Sequence, residues 1–308
     1  MPTNVAKGPN LFLVGAPKCG TTSLYEYLRK HPQIFFPGDE QEDAYWRAKE
    51  PAFFCTDLDL PAHKSIKSEP EYLALYAGSD GYKWRGDASA FYLYSKVAAE
   101  RIKAFCPDAR ILITLRPPVD QMHSWHNDCL LGPTEDITDF HEAVAASEDR
   151  RMGRRLAPQG IPAWQDYFGV AQFAGQVEGY QRTFGRESVH VVLLEDLASR
   201  PEETYRGILE FLDVDRSFMP EFRVYNEPPV KGRLEKFLNA IHSQPGIRQI
   251  SDRIFPYPVR RRVVLAVRRL HQGKPKSPDP RDTELRARCR PDIERLAGLI
   301  GRDLSHWM

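Results

Sequence analysis

The chain has 308 residues, of which 42% are hydrophobic and 28% charged, proportions typical of a soluble globular protein with a sizeable core. Its net charge of +1 argues neither for nor against a nucleic-acid partner, and its longest apolar runs are too short to span a bilayer. The five cysteines are scattered and odd in number, and the N-terminus lacks the apolar stretch of a signal peptide. We therefore expect reduced thiols and a cytoplasmic protein.

Apolar segments alternate with helical patterns along the chain. Buried parallel strands are predicted at Leu11–Gly15, Ile111–Leu115 and His190–Leu194, and shorter strands at Ile34–Phe36, Ala52–Cys55 and Lys83–Gly86. Apolar spacing predicts helices at Thr22–Lys30, Lys96–Phe105, Val119–Leu131, Phe140–Glu148, Tyr167–Phe184, Pro201–Leu212 and Asp282–Ile300. Residues Arg150–Trp164 suggest a mobile connection. The alternation predicts an α/β fold of three layers, with a central, mostly parallel sheet flanked by helices, in a single domain over residues 1–308.

The first strand leads into a glycine-bounded loop typical of phosphate binding. Gly15 and Gly20 hold the glycine positions of the pattern G-x-x-x-x-G-K-[ST], but Thr21 replaces its lysine, and Lys18 lies inside the loop instead. Thr22 and Ser23 add further hydroxyls where a helix begins. The simpler alternative is a glycine turn with threonine as the helix cap. The embedded lysine and the Thr-Thr-Ser run favour an anion site over that alternative.

A second candidate anion site follows the strand Ile111–Leu115. Arg116 stands at the carboxyl end of this strand, where open α/β sheets place ligands, and its planar guanidinium suits a phosphate. Ser124 lies about two helical turns further along and can add a hydroxyl. Either residue alone is equally consistent with an ordinary surface position. Together with the first loop, the two residues predict a second phosphate site.

A candidate general base lies at Glu50, in the run Lys49-Glu50-Pro51-Ala52-Phe53-Phe54. A carboxylate next to a proline and two aromatic residues is partly desolvated, which suits a general base. Spacing alone still favours a solvated surface glutamate.

These segments resemble the motifs of sulfotransferases that use 3′-phosphoadenosine 5′-phosphosulfate (PAPS), in the heparan-sulfate-type and bacterial branch. Gly15–Ser23 resembles the 5′-phosphosulfate loop, Arg116 with Ser124 the 3′-phosphate motif, and the segment at Glu50 the one that carries the catalytic glutamate. Supporting similarity is found at Gly86–Tyr92, Val192–Leu197 and Leu299–Trp307. In heparan-sulfate members a lysine commonly stands at Ala88 and an arginine at Gln121, which argues against a heparan-type acceptor.

The resemblance implies in-line sulfuryl transfer to a hydroxyl or amine, with no metal. Lys18 would stabilise the leaving group and Glu50 would act as the base. Donor binding is assigned to Pro17, Lys18, Cys19, Gly20, Thr21, Thr22, Ser23, Arg116 and Ser124, with Cys19 interpreted as a small space-filling residue. Candidate acceptor-lining residues are Phe53, Phe54, Tyr92, Trp125 and His126, although aromatic residues more often belong to the core.

The sequence leaves the acceptor open between a small molecule, a glycan and a lipid or natural product. It does not determine the oligomeric state. The basic section at about 244–281 is expected to contribute to the acceptor rim. The stretch Arg260–Lys276 has two interpretations: a solvated basic face, or a surface that binds a membrane or nucleic acid. We favour the solvated face, and so we predict neither nucleic-acid binding nor stable membrane insertion. His123 and His126 lie three apart, but no ligand at matching spacing completes a metal site.

The rival enzyme class is an ATP-dependent kinase with Mg²⁺. The run Val191–Asp196 resembles a strand that delivers a Mg²⁺-binding aspartate. The favoured interpretation is that Glu195 and Asp196 lie in the first turn of the next helix, where negative charge is stabilised. The missing lysine at Thr21 supports that interpretation.

Overall fold

The computed structural model describes residues 7–38, 45–131, 134–223 and 279–308. Residues 244–278 of the predicted basic section, including Arg260–Lys276, lie outside the described residues. The strands are β1 Leu11–Gly15, β2 Ile34–Phe35, β3 Trp84–Asp87, β4 Arg110–Leu115 and β5 Val189–Leu193. The helices are α1 Thr21–Leu28, α2 Tyr45–Lys49, α3 Glu69–Ala74, α4 Ala98–Phe105, α5 Pro118–Leu131, α6 Phe140–Ala145, α7 Ser147–Arg151, α8 Pro162–Gln165, α9 Tyr167–Val170, α10 Phe173–Phe184, α11 Leu194–Ser199, α12 Pro201–Phe211 and α13 Pro280–Ile300.

The five strands form one parallel sheet in the order β2-β3-β1-β4-β5. After β1 the chain runs to one side of the sheet, towards β2 and β3, and after β4 it runs to the other side, towards β5. This reversal opens a crevice at the carboxyl ends of β1 and β4, the place where open α/β sheets bind ligands. The predicted α/β fold with a central parallel sheet is confirmed.

The burial of the strands agrees with their places in this order. All five residues of β1, Leu-Phe-Leu-Val-Gly, are buried, as are residues Ile111–Leu115 of β4, because helices cover both faces of a parallel sheet. β5 lies at one end of the order and is partly exposed. Helix α1 packs into the core, with seven of its eight residues buried.

The described chain divides into two compact units. Of the described residues, the first unit comprises 7–38, 45–121, 168–223 and 286–308 and contains the sheet; the second comprises 122–131, 134–167 and 279–285. Inside the second unit, Arg150 and Glu135 form an ion pair with both side chains fully buried, and Tyr167 donates to Glu135 at 2.5 Å. Arg150, predicted to begin a mobile connection, is therefore a core residue. The single domain over residues 1–308 stays a prediction.

Three predicted elements are wrong in detail. Residues Ala52–Cys55 form no strand, because backbone N–H groups of this segment donate to side chains and not to a neighbouring strand. The helix predicted at Tyr167–Phe184 is interrupted after Val170, and the N–H groups that begin α10, those of Phe173 and Ala174, donate to the Asp292 carboxylate. The helix predicted at Phe140–Glu148 is likewise split, into α6 and α7.

Candidate active site

The loop between β1 and α1 has the backbone shape of an anion cradle. Lys18 and Gly20 both adopt left-handed torsions, with φ of 62° and 89°. The first bond of the α1 ladder runs from Leu24 N–H to Gly20 O at 3.0 Å, so the amides of residues 21–23 lie ahead of the ladder, at the positive end of the helix dipole. The first turn of α1 contains no acidic residue that would compete with a bound anion. The loop is therefore suited to hold a phosphate.

Both loop glycines are required by their surroundings. A Cβ at Gly15 would lie 2.6 Å from Ala90 O and 2.7 Å from Leu93 Cβ, so a side chain here would displace neighbouring backbone. A Cβ at Gly20 would lie 2.6 Å from Leu194 Cδ1, at a φ that residues with a side chain rarely adopt. The two glycines thus allow residues 90–93 to lie close to one end of the loop and Leu194 to lie close to the other.

Hydrogen bonds from β4 and α5 hold the backbone of the loop. The Thr114 carbonyl accepts from Ala16 N–H at 2.8 Å, and the Thr114 hydroxyl donates to Gly15 O at 3.1 Å. The buried Gln121 amide donates to Pro17 O at 3.1 Å. Sequence reasoning missed both anchors, although a lone threonine in the apolar run of β4 was a usable signal.

Arg116 is brought to the same loop from the carboxyl end of β4. Its Nη1 donates to Lys18 O at 3.3 Å, a long hydrogen bond, and its Nε is buried with no partner among the described residues. A buried donor without a partner costs about 1–3 kcal/mol unless a ligand accepts its hydrogen bond. Arg116 and the loop therefore form one candidate anion site at the crevice.

Cys19 is a structural residue of the loop. Its side chain is fully buried, and burial raises the pKa of the thiol to about 12 although Arg116 opposes the shift. A thiol with this pKa is not a nucleophile at neutral pH. The interpretation of Cys19 as a space-filling residue agrees with these observations.

Glu50 follows α2 and is paired with its neighbour in sequence. Lys49 Nζ donates to Glu50 Oε1 at 2.8 Å; the Lys49 side chain is fully buried, whereas 34% of the Glu50 side chain is exposed. The ammonium group also lies 5.2 Å from the ring centre of Trp46 and 5.5 Å from that of Tyr25. Glu50 thus presents a carboxylate to solvent while a buried cation holds one of its oxygens.

Comparison with known proteins identifies the family. Residues 9–218 match the model of the Sulfotransferase family. The chain belongs to this family. A sulfotransferase from Alicyclobacillus acidocaldarius has a similar structure, with a TM-score of 0.65 and 31% sequence identity over 97% of this chain and 98% of that one. The predicted family and enzyme class are confirmed.

Two curated relatives match part of the sulfotransferase chain. Carbohydrate sulfotransferase 15 from Homo sapiens is 26% identical over 252 residues, covering 67% of this chain and 44% of the relative. Bifunctional heparan sulfate N-deacetylase/N-sulfotransferase 1 from Mus musculus is 28% identical over 214 residues, covering 67% of this chain and 22% of the relative. The sulfotransferase chain therefore spans less than half the length of these relatives.

Several predicted acceptor-lining residues of the sulfotransferase lie in the core instead. Phe54 is 2% exposed and packs edge-on against Tyr92, which is fully buried. The Tyr92 hydroxyl accepts from the backbone of Phe53 and Phe54, so the ring does not line a surface. Phe53 is partly exposed and stacks on Tyr72 at a ring distance of 4.4 Å. The lining role predicted for Phe54 and Tyr92 is wrong because their rings complete the core.

Three further predicted site residues lie in the second unit. His126 is 1% exposed and its Nε2 contacts Ile137 O at 2.9 Å, which corrects its predicted lining role to a structural one. Trp125 is partly buried and donates to Trp164 O at 2.7 Å. Ser124 lies on α5 and is partly buried. The donor contact of Ser124 and the lining role of Trp125 stay predictions.

The two carboxylates that suggested a kinase have partners in the same unit. Glu195 accepts from Trp307 Nε1 at 3.0 Å and contacts His306 Nε2 at 2.6 Å. Asp196 pairs with Arg200 at 2.7 Å and Arg302 at 2.8 Å. Both carboxylates lie in the first turn of α11, as the structural interpretation predicted. Both carboxylates thus contact the segment 302–307.

The histidine at position 123 has a carboxylate partner that sequence spacing did not show. Asp282 lies 3.0 Å from His123 Nε2 and 3.1 Å from His141 Nε2.

Across the described ranges, no group of three or more His, Cys, Asp or Glu residues has an arrangement that holds a metal ion. None of the described helices is long and apolar enough to cross a membrane.

Proposed function

We propose that this sulfotransferase moves the sulfuryl group of PAPS to a hydroxyl or amine of an acceptor. The observation that carries the proposal is the buried Arg116 Nε, which has no partner in the described part of the chain and belongs to a side chain bonded to the Lys18 carbonyl. PAPS bears phosphate at both its 5′ and 3′ positions. Two anion-binding elements at one crevice, the loop and Arg116, match that charge distribution.

The residues present fit the donor. When bound, PAPS supplies a sulfuryl group activated by its bond to the 5′-phosphate. The hydroxyls and amides of Thr21, Thr22 and Ser23 hold the 5′-phosphate in this proposal, and Arg116 holds the 3′-phosphate. Lys18 and the positive end of α1 neutralise the charge that develops on the leaving phosphate, and the proposal therefore needs no metal.

Glu50 serves as the general base of the proposal. Its carboxylate is partly exposed and so is accessible to an acceptor, while Lys49 fixes one oxygen at 2.8 Å. The other oxygen takes the proton of the acceptor hydroxyl or amine as the new bond to sulfur forms. No covalent intermediate is required for an in-line transfer of this kind.

A carbohydrate is the acceptor class we propose. Two relatives are named for carbohydrate and heparan sulfate substrates. Trp46 is one of the large hydrophobic residues that the structure leaves exposed, at 38%, and Glu50 N–H donates to Trp46 O at 2.9 Å, which places the two residues one helical turn apart. An exposed indole beside the base offers a flat surface against which a sugar ring can pack.

Calorimetry with adenosine 3′,5′-bisphosphate (PAP), the donor product, tests the donor assignment. We expect PAP to bind without Mg²⁺, and ATP with Mg²⁺ to bind far more weakly. Tight ATP–Mg²⁺ binding with no PAP binding would support the kinase alternative and refute the proposal. A PAP-release assay with oligosaccharides and with a simple phenol then tests the acceptor class, because release with the phenol alone contradicts a carbohydrate acceptor.

The Glu50→Gln variant tests the base. We expect it to lose at least about 100-fold in kcat, as general bases contribute about 10²–10⁴, with PAP affinity unchanged. Glu71→Gln is the matched control, because Glu71 is an exposed carboxylate that pairs with Arg47. Equal kcat values for the two variants would show that Glu50 is not the base.

We also propose the cytoplasm as the compartment of this sulfotransferase. All five cysteines are free, as expected where thiols stay reduced. Fractionation of cells that express the protein natively would place it in the cytosolic fraction if this is correct, and in a membrane or secreted fraction if it is not.

A further inference from the structure

A buried aspartate at the end of β3 is bound by three hydroxyl groups, and the proposed mechanism does not use it. Asp87 Oδ1 accepts from the Ser89 hydroxyl at 2.7 Å and from Ser89 N–H at 3.0 Å. Its Oδ2 accepts from the Tyr72 hydroxyl at 2.7 Å and the Tyr92 hydroxyl at 2.9 Å. All four side chains are at most 2% exposed. Such a fully satisfied polar cluster holds its members in one arrangement.

The hydroxyls of this cluster hold the backbone that follows Glu50. Tyr92 Oη accepts from Phe53 N–H at 2.9 Å and from Phe54 N–H at 3.3 Å. A phenol hydroxyl has one proton and two lone pairs. Because Tyr92 donates its one hydrogen bond to Asp87, both lone pairs stay available to accept from these two amides. Asp87 therefore sets the orientation in which Tyr92 accepts.

Two more bonds tie the same region to the residues around Glu50. Ser89 Oγ accepts from Ala52 N–H at 2.9 Å, and Ala88 N–H donates to Lys49 O at 3.3 Å. The backbone on both sides of Glu50 is thus bound to residues 88–92. These bonds also explain why residues 52–54 form no strand.

The opposite side of the same segment contacts the donor loop. Leu93 N–H donates to Val14 O at 2.7 Å, and Gly15 approaches Ala90 O and Leu93 Cβ so closely that a Cβ would lie within 2.7 Å of either atom. Residues 87–93 therefore connect the strand end that begins the loop with the backbone that carries Glu50.

We infer that Asp87 and Tyr92 are positioning residues, which set the placement of Glu50 relative to the donor loop. The inference rests on the proposed role of Glu50 as the base. A displacement of about 1 Å between reacting groups can cost about 100-fold in rate, so the bonds to residues 52–54 have a direct kinetic consequence. Neither residue touches the donor in this inference, and donor affinity is therefore independent of them.

Two phenol-to-phenyl variants test the inference. Tyr92→Phe removes the oxygen that accepts from Phe53 and Phe54, whereas Tyr72→Phe removes a bond to the same Asp87 oxygen but no bond to that backbone. We expect Tyr92→Phe to lower kcat by about 10- to 100-fold and Tyr72→Phe by less than about threefold. PAP affinity should be unchanged in both. Tyr92→Phe should lower the Tm more than Tyr72→Phe, because it also leaves two buried amides without their acceptor.

The outcomes separate the inference from the proposed function. Equal kcat values in Tyr92→Phe and Tyr72→Phe, or a loss of PAP affinity in Tyr92→Phe, overturn the positioning role. If Glu50→Gln retains full kcat, the base assignment and the positioning role both fail; if it loses kcat while Tyr92→Phe keeps it, only the positioning role fails. Should Tyr92→Phe not fold, Ser89→Ala removes only the bonds to Ala52 and Asp87, and the same split between kcat and PAP affinity decides.

Discussion

Replacement of Arg116 by methionine is the sharpest test of the second anion site. Methionine keeps an apolar stem of similar length to the one that precedes the guanidinium, but removes every donor. Arg116 makes one long bond to Lys18 O, at 3.3 Å, and its buried Nε has no partner in the described ranges, so the unliganded protein loses little. A bound 3′-phosphate loses charge-assisted hydrogen bonds of about 1.5–3 kcal/mol, equivalent to about 10- to 150-fold in Kd.

The assay is calorimetric titration with PAP and with 5′-AMP, which lacks the 3′-phosphate. We expect Arg116→Met to weaken PAP binding by that factor and to leave 5′-AMP binding within about threefold, since the 5′-phosphate is held by the α1 loop. Arg110→Met is the matched control. Arg110 begins the same strand, about 20 Å away, and donates to Glu187 O at 2.6 Å.

The reasoning is refuted if Arg116→Met weakens PAP and 5′-AMP binding equally, because the loss would then not depend on the 3′-phosphate. It is also refuted if Arg110→Met weakens PAP binding as much as Arg116→Met does. Chemical denaturation of the unliganded variants accompanies the titrations. A large drop in the free energy of unfolding for Arg116→Met would contradict the inference that Arg116 contributes little to the unliganded protein.

Gly20→Ala is expected to cost about 1–2 kcal/mol in the free energy of unfolding and to abolish measurable PAP binding, because φ is 89° and the new Cβ meets Leu194. Gly207→Ala, whose Cβ meets no atom within 4 Å, is the control, and equal PAP binding by the two variants would contradict the cradle. Asp87→Asn tests a pH dependence of stability. Burial raises the pKa of Asp87 from 3.8 to about 6, so the folded state holds the carboxyl proton more tightly than the unfolded state. The protonated carboxyl therefore stabilises the fold at low pH, and this stabilisation is lost as pH rises from about 4 through about 6. Urea unfolding should show the stability of the wild type relative to Asp87→Asn fall by about 2 kcal/mol from about pH 4 to about pH 7, and a constant difference would contradict this assignment.

Local sequence patterns were sufficient to predict the five strands of the sheet, the glycine loop and the position of Arg116. An uninterrupted apolar run such as Leu11–Val14 is compatible with a buried parallel strand, and Gly15 and Gly20 mark a turn whose torsions few other residues adopt. Arg116 follows a strand directly, so its position at the sheet edge follows from the strand alone.

The errors arise where side chains from distant segments decide the structure. The sequence of residues 52–55 is compatible with a strand, but Ser89 and Tyr92 bind its amides from nearly forty residues away. The same contact turns Tyr92 from an expected lining residue into a core one. Asp87 has no local signal for its role, because only the fold brings Tyr72 and Ser89 to its carboxylate.

The central place of β1 in the sheet has a consequence for synthesis of the chain. β1 leaves the ribosome before the other four strands described above, yet it pairs with β4 from Leu11 to Arg110, 99 residues further along. At about 5–20 residues per second, the apolar segment Leu11–Val14 waits roughly 5–20 s before that neighbour exists. During this interval it is a candidate binding segment for chaperones and for other nascent chains, so the yield of soluble protein should depend on translation speed and chaperone supply.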